Sequence, residues 1–402
     1  MQKTRNFRHG PRRATNTRHF GPNTRRGGAN SGKQHINPER FVKVADPAAV
    51  HSYKAQHSFA DFAIHPLLKS NIAIKGYMRP SEIQDKTITL GLAGRDVVGV
   101  ANTGTGKTAA FALPILNKLM HEPAAKALIM TPTRELAIQI EGQCKIFAKN
   151  SGLSGALLIG GLPLGRQTTS LKQDPRIVIG TPGRIKDHIG QGNLSLNSCT
   201  MVVLDEVDRM LDMGFLPDMR YLLDLLPDAR QSFFFSATLS PEVNRLISSF
   251  TNDPVTVNVR LGETSDNVHQ AVVKYAGKPE RLDRLYDVLI AEGMSKALIF
   301  GDTKHGVERL ARELVARGFS ADALHGGKNQ GQRQRALDGF RENRTNILVA
   351  TDVAARGIDV VDISHVINFD VPKTYDDYIH RIGRAGRAGR TGHALTFVGS
   401  TL

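Results

Sequence analysis

Ala101-Asn102-Thr103-Gly104-Thr105-Gly106-Lys107-Thr108 follows the apolar run Val97-Val98-Gly99-Val100, and far downstream lies His380-Arg381-Ile382-Gly383-Arg384-Ala385-Gly386-Arg387. In the first segment, Gly104 and Gly106 permit backbone conformations that turn N–H groups onto phosphate oxygens. Lys107 adds a point charge, and Thr108 opens the next helix with a hydroxyl suited to Mg²⁺. Three readings fit this segment: a plain glycine turn, a triphosphate loop, and a dinucleotide loop, since Gly104 to Ala109 also satisfies G-x-G-x-x-A. The strict phosphate-loop pattern has Gly where this chain has Ala101. Lys107-Thr108 favours a triphosphate with metal over a pyrophosphate. Asp205-Glu206-Val207-Asp208, directly after Met201-Val202-Val203-Leu204, strengthens that choice. A carboxylate at the end of a buried strand can hold Mg²⁺, which is the place of Asp205, and Glu206 can orient or deprotonate a water. Alone, the tetrad would read as an acidic surface loop, and the arginine-rich segment as a solvated basic loop. Together they describe a phosphate site whose arginines sit on another domain, across a cleft that must close before chemistry.

The elements that must position these residues are legible in outline. A chain of 402 residues with 40% hydrophobic content suggests two or three domains with real cores. Short apolar runs at Ala127–Met130, Ala156–Ile159, Ile177–Ile179, Met201–Leu204 and Phe233–Phe235 suit central strands of a parallel sheet covered on both faces. Between them, Leu136, Ile140 and Phe147 follow helical spacing within Thr133–Asn150. The pattern pauses at residues 259–267, a polar linker. It restarts with a helix from Pro279 carrying Leu282, Leu285, Tyr286 and Leu289, a strand Ala297–Phe300, and a helix with Val307, Leu310, Leu314 and Val315. Strands Asn346–Ala350, His365–Phe369 and Ala394–Val398 follow. Two tandem α/β units, residues 46–258 and 268–402, are the simplest account.

Residues 1–45 differ. They hold eleven lysines and arginines against Glu39 alone, ten of the fifteen net positive charges of the chain. With almost no aliphatic side chains, the segment reads as a disordered basic tail, and its partner as a polyanion, with nucleic acid ahead of a membrane surface. No stretch approaches a membrane span, and no apolar segment follows the basic N-terminus as in a secretory signal. Cys144 and Cys199 support neither a disulfide framework nor a zinc site. The reading is a cytoplasmic, reduced protein.

Further segments complete a pattern. They are Phe59, Gly76 and Pro80-Ser81-Glu82-Ile83-Gln84; Pro132-Thr133-Arg134-Glu135-Leu136-Ala137; Gly160-Gly161; Thr181-Pro182-Gly183-Arg184; and Ser236-Ala237-Thr238. The second half adds Phe300 through Thr303, Gln330-Gly331-Gln332-Arg333, Ala350-Thr351-Asp352 and Arg356-Gly357-Ile358-Asp359. In this order, from about Phe59 to Gly392, the chain resembles the DEAD-box family of ATP-dependent RNA helicases, within helicase superfamily 2. The resemblance implies two tandem RecA-like domains with parallel sheets. It implies ATP, with Gln84 on the adenine edge, Phe59 stacked on the ring, Thr103 to Thr108 around the phosphates and Asp359 on the ribose. A Gln amide can donate and accept at once, which suits adenine.

The same resemblance makes Lys107, Asp205, Glu206, Arg384 and Arg387 catalytic, the two arginines as fingers, with Mg²⁺ on Thr108 and Asp205. It assigns RNA backbone contacts to Pro132, Thr133, Arg134, Gly161, Thr181, Pro182, Gly183 and Arg184, and to Thr303, Arg333 and Thr351. Thr133 and Thr181 stand at strand-to-helix turns, where free N–H groups and a hydroxyl can meet phosphate. Asp208, Ser236, Thr238 and His380 would couple the two domains. Asn102, Val207, Ala385 and Gly327 depart mildly from the family's pattern. Leu402 closes the sequence after the last expected strand, where family members continue into a helix. The expected activity is RNA-stimulated ATP hydrolysis by a monomer that clamps RNA and locally separates short duplexes. A binding-only RNA clamp and a superfamily 2 DNA helicase are the rivals.

Overall fold

The computed structural model describes residues 36–45, 53–102, 104–259, 267–355, 360, 362–386 and 391–400. Seven strands form the first sheet: β1 Val97–Ala101, β2 Lys126–Met130, β3 Gly155–Leu158, β4 Ile177–Gly180, β5 Cys199–Leu204, β6 Gln231–Ser236 and β7 Val255–Val259. All pair in parallel, in the order β3-β4-β2-β5-β6-β1-β7. The apolar runs are near-continuous because both faces are covered. Val97, Phe233 and Phe235 face a core built with helices Glu82–Leu92, Lys107–His121 and Arg134–Phe147. Their neighbours Val98 and Phe234 face the opposite one, with Pro182–Gly190, Leu216–Asp224 and Pro241–Phe250. The period of two along each strand thus divides its residues between two cores.

The second sheet contains β8 Val268–Tyr275, β9 Ala297–Phe300, β10 Ala321–Leu324, β11 Ile347–Ala350, β12 His365–Asn368 and β13 Gly392–Gly399. It too is parallel throughout, in the order β10-β11-β9-β12-β13-β8. Strand β8 was not expected; it begins where the sequence pattern only pauses. The first sheet's β7 carries through Val259, and residues 260–266 of the expected linker lie outside the described residues.

The tail boundary needs correction. Residues 1–35 are outside the described residues, but residues 36–45, expected to be disordered, are folded onto the second lobe. Asn37 caps a 3₁₀ turn, Pro38–Phe41, its side-chain oxygen accepting from the Glu39 N–H at 3.0 Å. Phe41 is fully buried, and Lys43 pairs antiparallel with Gln270 on β8. Composition averaged over 45 residues concealed one aromatic anchor, whose burial contributes roughly 1.5–3 kcal/mol.

Three strands of this sheet carry stacked imidazoles. His365 on β12 pairs in register with His393 on β13, which pairs with His269 on β8. Ring centroids are 4.7 Å apart for His365–His393 and 5.3 Å for His269–His393. Burial, with His393 alongside, pushes the His365 pKa down to about 4. The unfolded chain titrates near the ordinary value of about 6.5, so between these values it binds the extra proton and the folded form does not. Stability therefore falls as pH drops from about 6.5 towards 4, by up to about 1.4 kcal/mol per pH unit for this group. Thermal midpoints measured across that range should show the loss, and His365→Gln should flatten it. An equal slope in the variant would assign the acid sensitivity elsewhere.

Candidate functional site

Strands β5, β6 and β1 are neighbours, so their carboxyl ends bring Asp205, Ser236 and the glycine loop together at one edge. Gly106 has φ 92°, and a Cβ there would strike the Gln84 side chain. Only glycine fits. Lys107 begins its helix buried, with Nζ donating to the Ala101 carbonyl at 3.2 Å and lying 3.8 Å from Asp205 Oδ1. Burial pushes the Asp205 carboxyl up to about 6 against the pull of Lys107, and Glu206 beside it pushes the same way. Glu206 occupies the left-handed region at φ 55°, ψ 54°. A non-glycine residue held there stores on the order of 1–3 kcal/mol of strain, a cost met most often at functional positions.

Asp208 completes the tetrad by bonding the end of β6. Its Oδ2 accepts from the Ala237 N–H at 3.0 Å, the Thr238 N–H at 3.0 Å and Thr238 Oγ1 at 3.2 Å. Ser236 Oγ accepts from the Asp208 N–H and donates to the Thr238 carbonyl. Among the described residues no cluster of three His, Cys, Asp or Glu side chains forms a metal cage. Thr108, in the first turn of the helix that starts at Lys107, and Asp205, directly after the end of β5, each carry an oxygen donor suited to a hard cation. Two hard oxygens suit Mg²⁺, which takes its remaining ligands from water and phosphate.

Gln84 is bonded to the same loop. Its Oε1 accepts from the Ser81 N–H at 2.9 Å, its Nε2 donates to the Gly106 carbonyl at 3.1 Å, and Ser81 Oγ donates to the Thr105 carbonyl at 2.7 Å. One amide hydrogen and one lone pair of Gln84 remain for a base edge. Phe59, expected to stack on adenine, is only 4% exposed and packs edge-on against Phe62 and Tyr77 in the first core. The next helix residue, Asp85, escaped the sequence reading. It accepts from the Tyr53 hydroxyl at 2.7 Å and the Gln56 N–H at 2.7 Å, and faces His57 Nδ1 at 2.6 Å. Burial would raise its pKa, but these partners outweigh burial and hold it below the usual carboxylate range. Its position directly after Gln84 was the available signal.

A cavity at this edge is lined from both lobes. The first gives Lys107, Glu206, Asp208, Arg209 and Ala237; the second gives Phe300, Asp352, Ala355, Asp377, His380, Arg381 and Arg384. Arg384 is 6% exposed there. Thr103, Asp359 and Arg387 lie outside the described residues. Sequence reasoning also missed Arg381, which clamps the arginine segment in place. Its Nε and Nη2 donate to the two Asp352 oxygens at 2.6 and 2.7 Å, and its Nη1 to the Asp370 carbonyl at 2.6 Å and Asn368 Oδ1 at 3.2 Å.

A second, larger cavity of about 330 Å³ gathers many of the residues expected at RNA phosphates. Pro132, Thr133, Arg134, Thr181 and Arg184 line it from one lobe, Gly326, Arg333 and Val353 from the other. Thr133 and Thr181 are helix N-caps, and Pro182 and Gly183 open the helix that follows Thr181. Gly161, at φ 80°, lies against the Arg134 guanidinium, where a side chain would collide. Arg333 Nε donates to Glu135 Oε1 at 2.8 Å across the lobes, and both side chains are buried. Thr351 precedes the helix Asp352–Ala355 at the end of β11. Thr303 is set apart: it caps Lys304–Ala316 and lines another cavity with Arg281 and Phe369. Gly327 leaves room for the His325 ring, since a Cβ there would lie 3.1 Å from His325 Nδ1, while His325 Nε2 faces Glu308 at 2.9 Å.

Two parallel α/β lobes, one with a phosphate loop and acid pair and the other with buried arginines on the same cavity, are the arrangement of a two-lobed nucleotide-binding enzyme. The family model for DEAD/DEAH box helicases matches residues 81–246, and that for the helicase conserved C-terminal domain matches residues 278–389. The ATP-dependent RNA helicase CshA of Limosilactobacillus reuteri is 43% identical over 85% of this chain and 69% of its own length. The DEAD-box ATP-dependent RNA helicase CshA of Bacillus subtilis is 41% identical over the same shares. Among solved structures, S. cerevisiae Dbp5 bound to RNA and ADP BeF3 superposes with a TM-score of 0.76 at 29% identity, covering 85% of this chain and 90% of that one.

The chain belongs to the DEAD-box family of ATP-dependent RNA helicases. It is an ATP-hydrolysing enzyme with RNA as its partner, and the two RecA-like lobes expected from the sequence are present. The dinucleotide loop and the DNA helicase are not favoured. No helix among the described residues is long and apolar enough to cross a membrane.

Proposed function

We propose that this helicase works as an RNA clamp whose ATP chemistry waits for the two lobes to meet. The observation that carries this reading is the single cavity lined by Lys107 and Glu206 from one lobe and by His380 and Arg384 from the other. ATP enters with its adenine edge at Gln84; Phe59 would have to turn out of the core to stack on the ring. Lys107 and the amides of Gly104 to Thr108 hold the phosphates, with Thr103 assigned there by its motif alone. Thr108 and Asp205 would hold Mg²⁺, which would supply charge neutralisation on the phosphate oxygens. Glu206 positions the attacking water. Arg384, joined on motif grounds by Arg387, stabilises charge on the transferring phosphoryl group, and Asp359 holds the ribose.

RNA lies in the second groove along Thr133, Arg134, Gly161, Thr181, Arg184 and Arg333, with Pro132, Pro182, Gly183 and Thr351 flanking it. Thr303 contacts a more distant phosphate. Backbone contacts of this kind position a strand without reading its bases. Asp208, Ser236, Thr238 and His380 carry the state of the nucleotide to the lobe contact. RNA that favours the closed state speeds hydrolysis, and hydrolysis reopens the clamp, which bends and separates short duplexes locally. The basic tail adds salt-sensitive affinity. The working unit is a cytoplasmic monomer.

Steady-state ATP hydrolysis with no nucleic acid, with single-stranded RNA and with DNA tests this reading. Turnover should rise with RNA alone and vanish in Glu206→Gln while RNA binding persists. Equal stimulation by DNA would remove the RNA-gated clamp.

A further inference from the structure

We propose that Phe41 is a positioning residue for Arg384, a role that rests on the reading of Arg384 above. Arg384 follows Gly383, the C-cap of the helix Tyr375–Ile382, and its N–H donates to the Arg381 carbonyl at 3.2 Å. A helix of eight residues has little stability of its own, so its placement depends on what it packs against. Arg381 ties it to Asp352. The N-terminal segment packs against the same helix at Tyr378 and Tyr375. The Phe41 ring is fully buried with its centroid 4.7 Å from that of Tyr378. The Arg40 guanidinium lies 3.9 Å above the Tyr375 ring.

The segment is itself held on β8, which also bonds the helix. The Lys43 N–H donates to the Gln270 carbonyl at 3.1 Å, and the Gln270 N–H returns a bond to the Lys43 carbonyl at 2.7 Å. The Ala45 N–H donates to His269 Nδ1 at 3.2 Å, and the Tyr378 hydroxyl donates to Gln270 Oε1 at 2.8 Å. Phe41 therefore closes a circuit of strand β8, segment and arginine helix. The chain then reaches Tyr53, bonded to Asp85 next to Gln84. One stretch of polypeptide thus steadies the arginine helix of one lobe and leads into the adenine-facing segment of the other.

The test uses the full chain with Phe41→Ala, Phe41→Leu and, as a control, Val42→Ala, whose side chain is 60% exposed on the same segment. Misplacing a catalytic group by a fraction of an ångström to an ångström should lower RNA-stimulated kcat by roughly 10–100-fold in Phe41→Ala. KM for ATP should stay within about twofold, because the groups that meet the adenine and the phosphates before closure lie on the first lobe. Phe41→Leu should recover most of the loss, and Val42→Ala should match the parent. In an Arg384→Ala background, single-turnover rates should be insensitive to Phe41→Ala, since the pathway it serves is gone.

An unchanged kcat in a folded Phe41→Ala chain, or an undiminished loss in the Arg384→Ala background, would overturn the proposal. If Phe41→Ala fails to fold, Arg40→Ala carries the same test and should give a smaller fall in kcat at constant KM; no fall would overturn it. Parent-like turnover in Arg384→Ala alone would instead sink the arginine-finger reading.

Discussion

Replacing Arg384 with alanine is expected to lower RNA-stimulated ATP turnover by roughly 10³-fold or more, with ATP affinity nearly unchanged. Arg384 reaches the cavity from the second lobe, whereas Lys107 and the glycine loop belong to the first. On the proposed clamp, its charge is therefore added only when the lobes meet. An interaction made in the transition state and not on initial binding appears in kcat and spares KM. The residue is 6% exposed, so water screens its field little once the cleft is closed. Single-turnover hydrolysis with saturating RNA measures the effect. A loss below about tenfold would mean that another cation bears the charge, since each tenfold is about 1.4 kcal/mol of barrier.

The second large effect is expected on stability. Arg381 is 2% exposed and satisfies both Asp352 oxygens, the Asp370 carbonyl and Asn368, with its guanidinium carbon 5.0 Å from the Phe300 ring centroid. Arg381→Ala leaves these acceptors without their donor; breaking a fully buried pair costs about 3–5 kcal/mol, and with Asp352 27% exposed the loss here should be about 2–4 kcal/mol. For a lobe of this size the melting midpoint should fall by on the order of 10 °C. Arg381→Lys should rescue little, because an ammonium cannot reproduce the planar fork that meets a carboxylate with two parallel bonds. Calorimetry of the full chain tests this, and a midpoint within about 2 °C of the parent would show that Asp352 and Asn368 find other partners.

What could be read in the sequence was local. The glycine loop and the tetrad each lie within eight consecutive residues at the end of an apolar run, so residue type, spacing and element boundary coincide. The same holds for Thr133 and Thr181, where a threonine before a helical pattern marks a cap. What escaped was made by contacts between distant segments. Arg381 sits inside a motif read for its other arginines, and its partners Asp352, Asn368 and Asp370 belong to other elements.

Strand β8 lies at the edge of its sheet, and its residues alternate only weakly between buried and exposed. Its apolar signal is correspondingly faint, and the sequence pattern assigns residues 268–275 no element at the start of the second unit. Phe41 was hidden by the basic residues around it, although it provides the only aromatic ring of the ten-residue segment that docks. Phe59 is the reverse case. Its motif assigned it to a ligand, and nothing in the sequence distinguishes a ring facing a base from one packed on Phe62 and Tyr77.

Closure of one cleft by two ligands makes a reciprocal thermodynamic demand. RNA affinity should be measured in Glu206→Gln with and without saturating ATP, and ATP affinity in the same chain with and without RNA. If both ligands select the closed lobes, each tightens the other by the same factor, expected to be about 5–150-fold. RNA affinity that is identical with and without ATP would contradict the clamp directly.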